Sequence, residues 1–247
     1  MPTEHEIHPA AATGFARAAD AYERGRPGYP DAAIDAFARH LGPQVIDLAA
    51  GTGKLTRMLA ARGYDVLAVE PIAEMRALIA PDARVHVVDG TAEQIPAGDA
   101  TAHAVCVAQA FHWFHHDRAL PEIHRVLRPG GVLVVLWNRR RMDDEIHQRI
   151  QALLAPHRGD APAQASEEWR RAPLYSGLFE AAVQRRFDNE QRLDGDGLAD
   201  RFGSVSFVAA LEPAPRDELL AALRGLADAG PVTLRYRTET EVWRRRG

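Results

Sequence analysis

"VIDLAAGTGKLT", residues 45–56, runs from an apolar strand-like stretch through two glycines into a segment with helical spacing. Glycine at 51 and 53 lets a backbone turn approach a ligand closely, and the helix that follows offers free N–H groups at its start. A Walker-type phosphate loop needs a glycine five residues before the Gly-Lys pair and Ser or Thr directly after it; Leu48 and Leu55 hold those positions. A dinucleotide turn needs a third glycine near residue 56, which is Thr56, and does not usually carry an acid just ahead of the turn. Asp47 is such an acid. It suits a ligand that brings an ammonium group and repels a pyrophosphate. Glu70, closing the next strand-like run in "LAVEP", is placed to accept both ribose hydroxyls of a nucleoside.

Outward from this turn, apolar runs at 44–49, 65–70, 84–89, 102–109 and 131–138 alternate with helical patterns in "LTRMLAARG", "IAEMRALIAP" and "HDRALPEIHRVLRPGG". Runs that are apolar throughout are what parallel strands covered on both faces require. Gly63 and the Gly130-Gly131 pair are expected to stop the first and third helices. After Asn138 the spacing predicts a helix over 143–157, a loop over 157–168, a sixth strand over 181–193, helices over 198–212 and 216–230, and a last, polar-alternating strand over 231–246. The expected fold is α/β: a doubly wound, mostly parallel, seven-stranded Rossmann-like sheet with a helical insertion before the last strand. The chain divides into a helical lid over 1–40, a cofactor-binding core over 41–138, and a completion of the sheet with its helical cap over 139–247, all within one domain. The cap is expected over the C-terminal edge of the sheet, where open α/β sheets bind ligands.

Composition narrows the partners. The 247 residues are 46% hydrophobic and 26% charged with a net charge of −4, which gives no general pull toward nucleic acid or anionic membrane. The lone Cys106 sits in an apolar run and reads as core packing. The N-terminus lacks the plan of a signal peptide, and no apolar run is long enough to span a membrane, so a cytoplasmic protein is expected. The expected partner is a small molecule, with neither nucleic acid nor membrane, and the chain is expected to be a monomer or weak homodimer.

The ordered set "IDLAAGTGKLT", "VEPIAEM", "VDGTAEQIP", "AQAFHWF" and "RVLRPGGVLVVLWN" resembles a class I S-adenosylmethionine-dependent methyltransferase. With "FARAADAYERGRPGYP", it is similar to the small-molecule branch that includes trans-aconitate methyltransferase-like enzymes. The resemblance implies S-adenosylmethionine as cofactor, with Asp47, Ala49, Gly51 and Gly53 around its methionine part and Glu70 on the ribose. It places Pro71, Ile72 and Met75 around the adenine, Thr91, Ala92 and Glu93 at its polar edge, and Gln109 beside the reacting methyl. Ala49 stands where the family's first glycine is common, and Thr91 where many relatives have an aspartate for the adenine amino group. Ahead of the first strand, Tyr22 and Arg26 are candidates for the methionine carboxylate, since arginine pairs bidentately with carboxylates.

"AQAFHWFHHDRAL", residues 108–120, follows the fourth strand at its C-terminal tip. Its three histidines lack the spacing and companion ligands of a zinc site, and no metal is expected. His112 is the candidate base for a hydroxyl or ring-nitrogen acceptor, Phe111 and Trp113 the walls beside it, and His115 and His116 loop or capping residues. Arg139 and Arg140 are expected either to hold an anionic substrate or to form a solvated cluster with Asp143 and Asp144. In the insertion, "RFGSVSFVAAL" resembles a segment of that branch, with Val205 and Phe207 in place of polar or hydroxylated residues, which implies a more apolar substrate than a tricarboxylate. The reading is a methyltransferase acting on a small molecule at a carboxylate or hydroxyl oxygen. Its rivals are an NAD-dependent oxidoreductase and a catalytically silent cofactor-binding regulator.

Overall fold

A computed structural model describes residues 19–158 and 167–247. The outer part of the expected lid and most of the expected 157–168 loop lie outside the described residues. The strands are β1 (Gln44–Leu48), β2 (Asp65–Val69), β3 (Val85–Val88), β4 (Ala102–Ala108), β5 (Leu127–Arg140), β6 (Phe179–Leu193) and β7 (Val232–Arg245). They form one sheet in the order β3-β2-β1-β4-β5-β7-β6. The pairs β1–β2, β2–β3, β1–β4 and β4–β5 are parallel, consistent with their largely apolar, non-alternating character. β6 and β7 run antiparallel: Arg246 N–H donates to Leu178 O at one end, and Arg235 faces Glu190 at the other. The chain leaves β1 toward β2 on one side and reaches β4 on the other. The switch point of the sheet therefore lies between the C-terminal ends of β1 and β4.

The helices are α1 (Ala19–Gly25), α2 (Asp31–Ala38), α3 (Lys54–Ala60), α4 (Ala73–Arg76), α5 (His116–Val126), α6 (Glu145–Leu154), α7 (Ala172–Tyr175), α8 (Gly195–Gly203), α9 (Ser206–Ala209) and α10 (Pro213–Gly225). Three differ from their sequence reading: the single helix expected over 198–212 divides into α8 and α9, and two others change for local reasons. Beyond α4 the N–H groups of Leu78 and Ile79 bond only three residues back, so the helix tightens and ends before Pro81. α5 stops at Val126, ahead of the glycine pair expected to end it, and "LRPGG" is already part of β5. The register against β4 slips between Ala102 and Ala104. A Cβ at Gly131 would sit 2.9 Å from Arg128 O and 3.0 Å from His103 O, so glycine there serves close strand approach rather than a helix cap.

The chain folds into two compact units, and among the described residues it passes between them after Gly28 and within β5, β6 and β7. The sheet unit comprises 29–137, 167–187 and 238–247; the helical unit comprises 19–28, 138–158 and 188–237. Residues 29–40, assigned to a lid by the sequence reading, belong with the sheet. In the sheet unit one face buries Ile46, Leu48, Val105, Leu133, Val135 and Phe111, and the other buries Val45, Val66, Ala104, Cys106, Val134 and Leu136. The helical unit closes around Ile150, Leu154, Phe202, Leu219, Leu223 and Tyr236.

β7 departs from the polar alternation expected of it: Thr238, Glu239, Thr240 and Glu241 are all buried. Arg170 makes this possible by pairing with both Glu239 and Glu241, the latter at 2.7 Å, while Gln184 adds a hydrogen bond to Glu241. These partners lie more than fifty residues from the glutamates, beyond the reach of any local pattern.

Candidate functional site

At the tip of β1 the chain turns through three left-handed residues: Ala49 (φ 56°), Gly51 (φ 59°) and Gly53 (φ 80°). Gly53 could not carry a side chain without strain, and a Cβ there would stand 3.1 Å from Ile79. Ala49 carries its methyl group in that region at a cost of about 1–2 kcal/mol. Gln109, at the tip of neighbouring β4, is also left-handed (φ 62°), with its N–H donating to Leu136 O at 3.0 Å. Two strained non-glycine residues thus close adjacent strands at the switch point. Ala49→Gly is expected to stabilise the chain by about 0.5–1 kcal/mol after the extra unfolded-state entropy of glycine, a rise in Tm of ~2–4 °C by calorimetry. An unchanged or lowered Tm would show that the turn holds no strain there.

Behind this turn lie two buried acids. Asp47 is 1% exposed and accepts a 2.5 Å hydrogen bond from Thr56 Oγ1–H in α3. Burial, with a further push from the charge of Glu70, moves its carboxyl up to about 7. Asp47 therefore lies behind the turn and ties β1 to α3, and any influence on a ligand's ammonium is through its field. Glu70 is also buried, and each of its oxygens is held by the backbone: Gly51 N–H donates to Oε2 at 2.8 Å and Ile72 N–H to Oε1 at 3.0 Å. Burial raises its pKa against the pull of those two donors. The carboxylate thereby fixes both the glycine turn and the start of α4. Each of its oxygens keeps a further lone pair.

The adenine-edge candidates follow on the next loop. Pro71 is partly exposed, Ile72 and Met75 are buried, and Ala92 is buried beside partly exposed Thr91, whose backbone pairs with Gln94. The Glu93 carboxylate accepts from His115 N–H at 3.0 Å and so caps α5. The capping role expected of His115 belongs to Glu93; His115 stands at the N-cap position but makes no side-chain bond there. His116 is turned inward, with Nε2 on Phe111 O at 3.0 Å.

The aromatic loop forms a short 3₁₀ turn, Phe111–Trp113, that presents His112 to a set of rings. His112 meets Trp113 at 4.6 Å and stands edge-on to Trp137 at 4.9 Å, while Trp169 is 6.2 Å away. Trp137 and Trp169 are themselves in contact at 4.9 Å. Phe111 is buried beneath and packs against His116 and Phe114, serving as the floor of the loop rather than a wall. Neither Trp137 nor Trp169 was singled out from the sequence. Trp137 closes an apolar strand and reads as core. Trp169 sits in "EEWRR", where nothing local marks it, and its position depends on Arg170 and the β7 glutamates. Among the described residues no group of three or more His, Cys, Asp or Glu side chains is arranged to hold a metal ion.

The remaining candidates belong to the helical unit. Arg26 stacks on Tyr22 at 4.8 Å and donates to Ser204 Oγ at 3.1 Å and Ser204 O at 3.0 Å. Arg140 is half-buried, and one of its nitrogens donates to Gln151 Oε1 at 3.3 Å. Arg139 is exposed. Phe207 is partly exposed and lies under the guanidinium of Arg158 at 6.0 Å. The two carboxylates expected to neutralise Arg139 and Arg140 look elsewhere, Asp143 pairing with Arg141 and Asp144 with Arg235.

A family described as methyltransferase domain matches residues 46–135, the segment from β1 to β5 that carries the turn, the two acids and the aromatic loop. An uncharacterised methyltransferase of Mycobacterium tuberculosis is 52% identical over 127 residues, 51% of this chain and 52% of that protein, so the chain spans about half the length of this relative. An uncharacterised methyltransferase-like protein of Schizosaccharomyces pombe is 32% identical over 219 residues, 85% of this chain and 84% of that one. Among solved structures, a protein of Anaeromyxobacter dehalogenans assigned as a type II methyltransferase superposes with a TM-score of 0.68 at 24% identity, covering 90% of this chain and 97% of that one. No helix among the described residues is long and apolar enough to cross a membrane.

Proposed function

The chain belongs to the methyltransferase-domain family, and from that premise we propose that it transfers a methyl group from S-adenosylmethionine to an oxygen of a small molecule, a carboxylate or a hydroxyl. The observation that carries this reading is the pair of buried acids at the glycine turn. Asp47 and Glu70 lie close enough for the charge of one to raise the pKa of the other, which makes the turn a poor seat for a pyrophosphate and a good one for a ligand with an ammonium and a sulfonium. A nicotinamide dinucleotide would bring two phosphates to the same place.

S-adenosylmethionine supplies the electrophilic methyl group on its sulfonium. Gly51, Gly53 and Glu70 would hold it, with Ile72 and Met75 toward the adenine. His112, Trp113, Trp137 and Trp169 form an aromatic wall of low polarity that excludes water from an acceptor and favours a cationic centre beside it. With the cofactor bound, these residues would keep an acceptor oxygen dry beside the methyl group, which would pass to that oxygen as the carbon–sulfur pair returned to sulfur. A hydroxyl acceptor passes its proton to the imidazole of His112; a carboxylate has none to pass.

The test is a screen of carboxylates, phenols and alcohols read by S-adenosylhomocysteine release, repeated with His112→Ala. Hydroxyl acceptors are expected to lose about 10²–10³-fold in kcat, and carboxylate acceptors to change only a few-fold. Full activity of the variant on every hydroxyl acceptor removes His112 as base. Failure of the wild type to bind S-adenosylhomocysteine overturns the whole reading.

A further inference from the structure

The helical unit gathers three arginines that no acidic side chain among the described residues neutralises. Arg26 ends the turn after α1, Arg140 ends β5, and Arg201 lies in α8. α1 and α8 pack backbone to backbone: a Cβ on Gly25 would lie 2.3 Å from Arg201 N. Ser204 links two of the arginines, receiving Arg26 and donating its own Oγ–H to Arg201 O at 3.0 Å. Arg201 is 7% exposed, gives its Nε–H to Tyr236 Oη at 3.1 Å, and keeps Nη1 buried without a hydrogen-bond partner. Among the described residues, no Asp or Glu forms an ion pair with any of the three; their partners are a serine, a glutamine, a tyrosine hydroxyl and aromatic rings. Arg26 lies in the field of Arg201 and Arg140, and Arg140 in that of Arg201. Burial together with the charge of Arg201 brings both Arg26 and Arg140 down to about 10.

Like charges withdrawn from water with no counter-charge are costly to maintain, and an open guanidinium fork matches the two oxygens of a carboxylate or phosphate. We propose that Arg26, Arg140 and Arg201 form an oxyanion-binding site in the helical unit that takes the carboxylate or phosphate of a small acid. On the reading under Proposed function, on which this step rests, that acid is the methyl acceptor, and the site assigns it a fixed negative group. The apolar character that Val205 and Phe207 suggest then describes only the edge of the acceptor's environment.

The intact chain, without cofactor, is titrated with succinate, citrate and inorganic phosphate against sodium chloride of equal ionic strength, and Tm is read. Millimolar oxyanion is expected to raise the wild-type Tm by ~5 °C or more, the larger response between citrate and phosphate identifying the headgroup. Arg201→Gln is expected to abolish that response and to raise the anion-free Tm by a few degrees, because it removes a buried uncompensated charge. A merely structural arginine would lower the anion-free Tm and leave the response intact, which would overturn the proposal. Should Arg201→Gln fail to fold, Arg140→Gln at its half-buried position makes the same comparison.

Binding of S-adenosylhomocysteine and of 5′-methylthioadenosine, which lacks the amino-acid part, separates the remaining occupant. The variants are expected to keep wild-type affinity for both within about three-fold. A ten-fold loss confined to S-adenosylhomocysteine would give the site to the cofactor's own carboxylate and overturn the assignment to a second acid. Because the oxyanion titration needs neither cofactor nor turnover, failure of the methyl-transfer reading leaves its outcome legible.

Discussion

Replacing Glu70 with glutamine is expected to weaken S-adenosylhomocysteine binding by about 100-fold or more, nearly as much as replacing it with alanine. The reason is geometric. Both carboxylate oxygens accept backbone N–H groups, from Gly51 at 2.8 Å and Ile72 at 3.0 Å. Glutamine has one oxygen, so in either orientation its amide group faces an N–H as donor to donor. One buried N–H is left unsatisfied, at about 1–3 kcal/mol, and the glycine turn or the start of α4 must move. On the proposed reading, a ribose held by Glu70 also loses one of its two acceptor oxygens in the same change. Calorimetric titration checks the affinity, and thermal unfolding without ligand checks the turn, with Tm expected to fall by several degrees. Glutamine binding within three-fold of wild type would show that the charge and both acceptors are dispensable.

The second large effect concerns Asp47. Burial raises its carboxyl to about 7 in the folded chain, against about 3.9 when unfolded. The folded state therefore holds a proton that the unfolded state has released between about pH 4 and 7, and stability falls as pH rises through that window. Above it the ionised, buried group costs on the order of 4 kcal/mol. The asparagine side chain of the Asp47→Asn variant resembles the protonated acid in shape and still accepts from Thr56. The variant is expected to match wild type at pH 5 and to melt about 10 °C higher at pH 8. Its affinity for S-adenosylhomocysteine is expected to be flat with pH, whereas that of wild type strengthens from pH 6 to 8 as the ammonium draws Asp47 into its charged form. Parallel melting profiles for the two proteins would show that Asp47 does not hold its proton in the fold.

The half of the chain that carries the turn was legible because its chemistry is local. The strands from β1 to β5 announce themselves as unbroken apolar runs, and the acids at 47 and 70 stand beside the punctuation that defines their loops. What the sequence hid depends on partners distant in the chain. The β7 glutamates look solvated until Arg170 is placed against them. Arg201 looks like an ordinary charged position of an amphipathic helix until α1 and β7 bury it. Glu93 takes the capping role that position alone would give to His115, because the bond crosses 22 residues. The start of β5 was misplaced because Pro-Gly-Gly reads as a stop, when the glycine is there for strand crowding.

The strand order carries a consequence for synthesis. β7, the last of the seven in sequence, lies between β5 and β6. β6 therefore emerges from the ribosome with no neighbour to pair with, and waits while about forty more residues are made. A waiting strand of 15 residues with an apolar face would recruit other nascent chains. β6 instead reads "FEAAVQRRFDNEQRL", with six of its fifteen side chains charged and only Phe179 fully buried. It keeps this composition in the finished sheet, where it forms an outer edge. The same residues thus guard the chain twice, first against premature partners on the ribosome and then against edge-to-edge association of finished molecules.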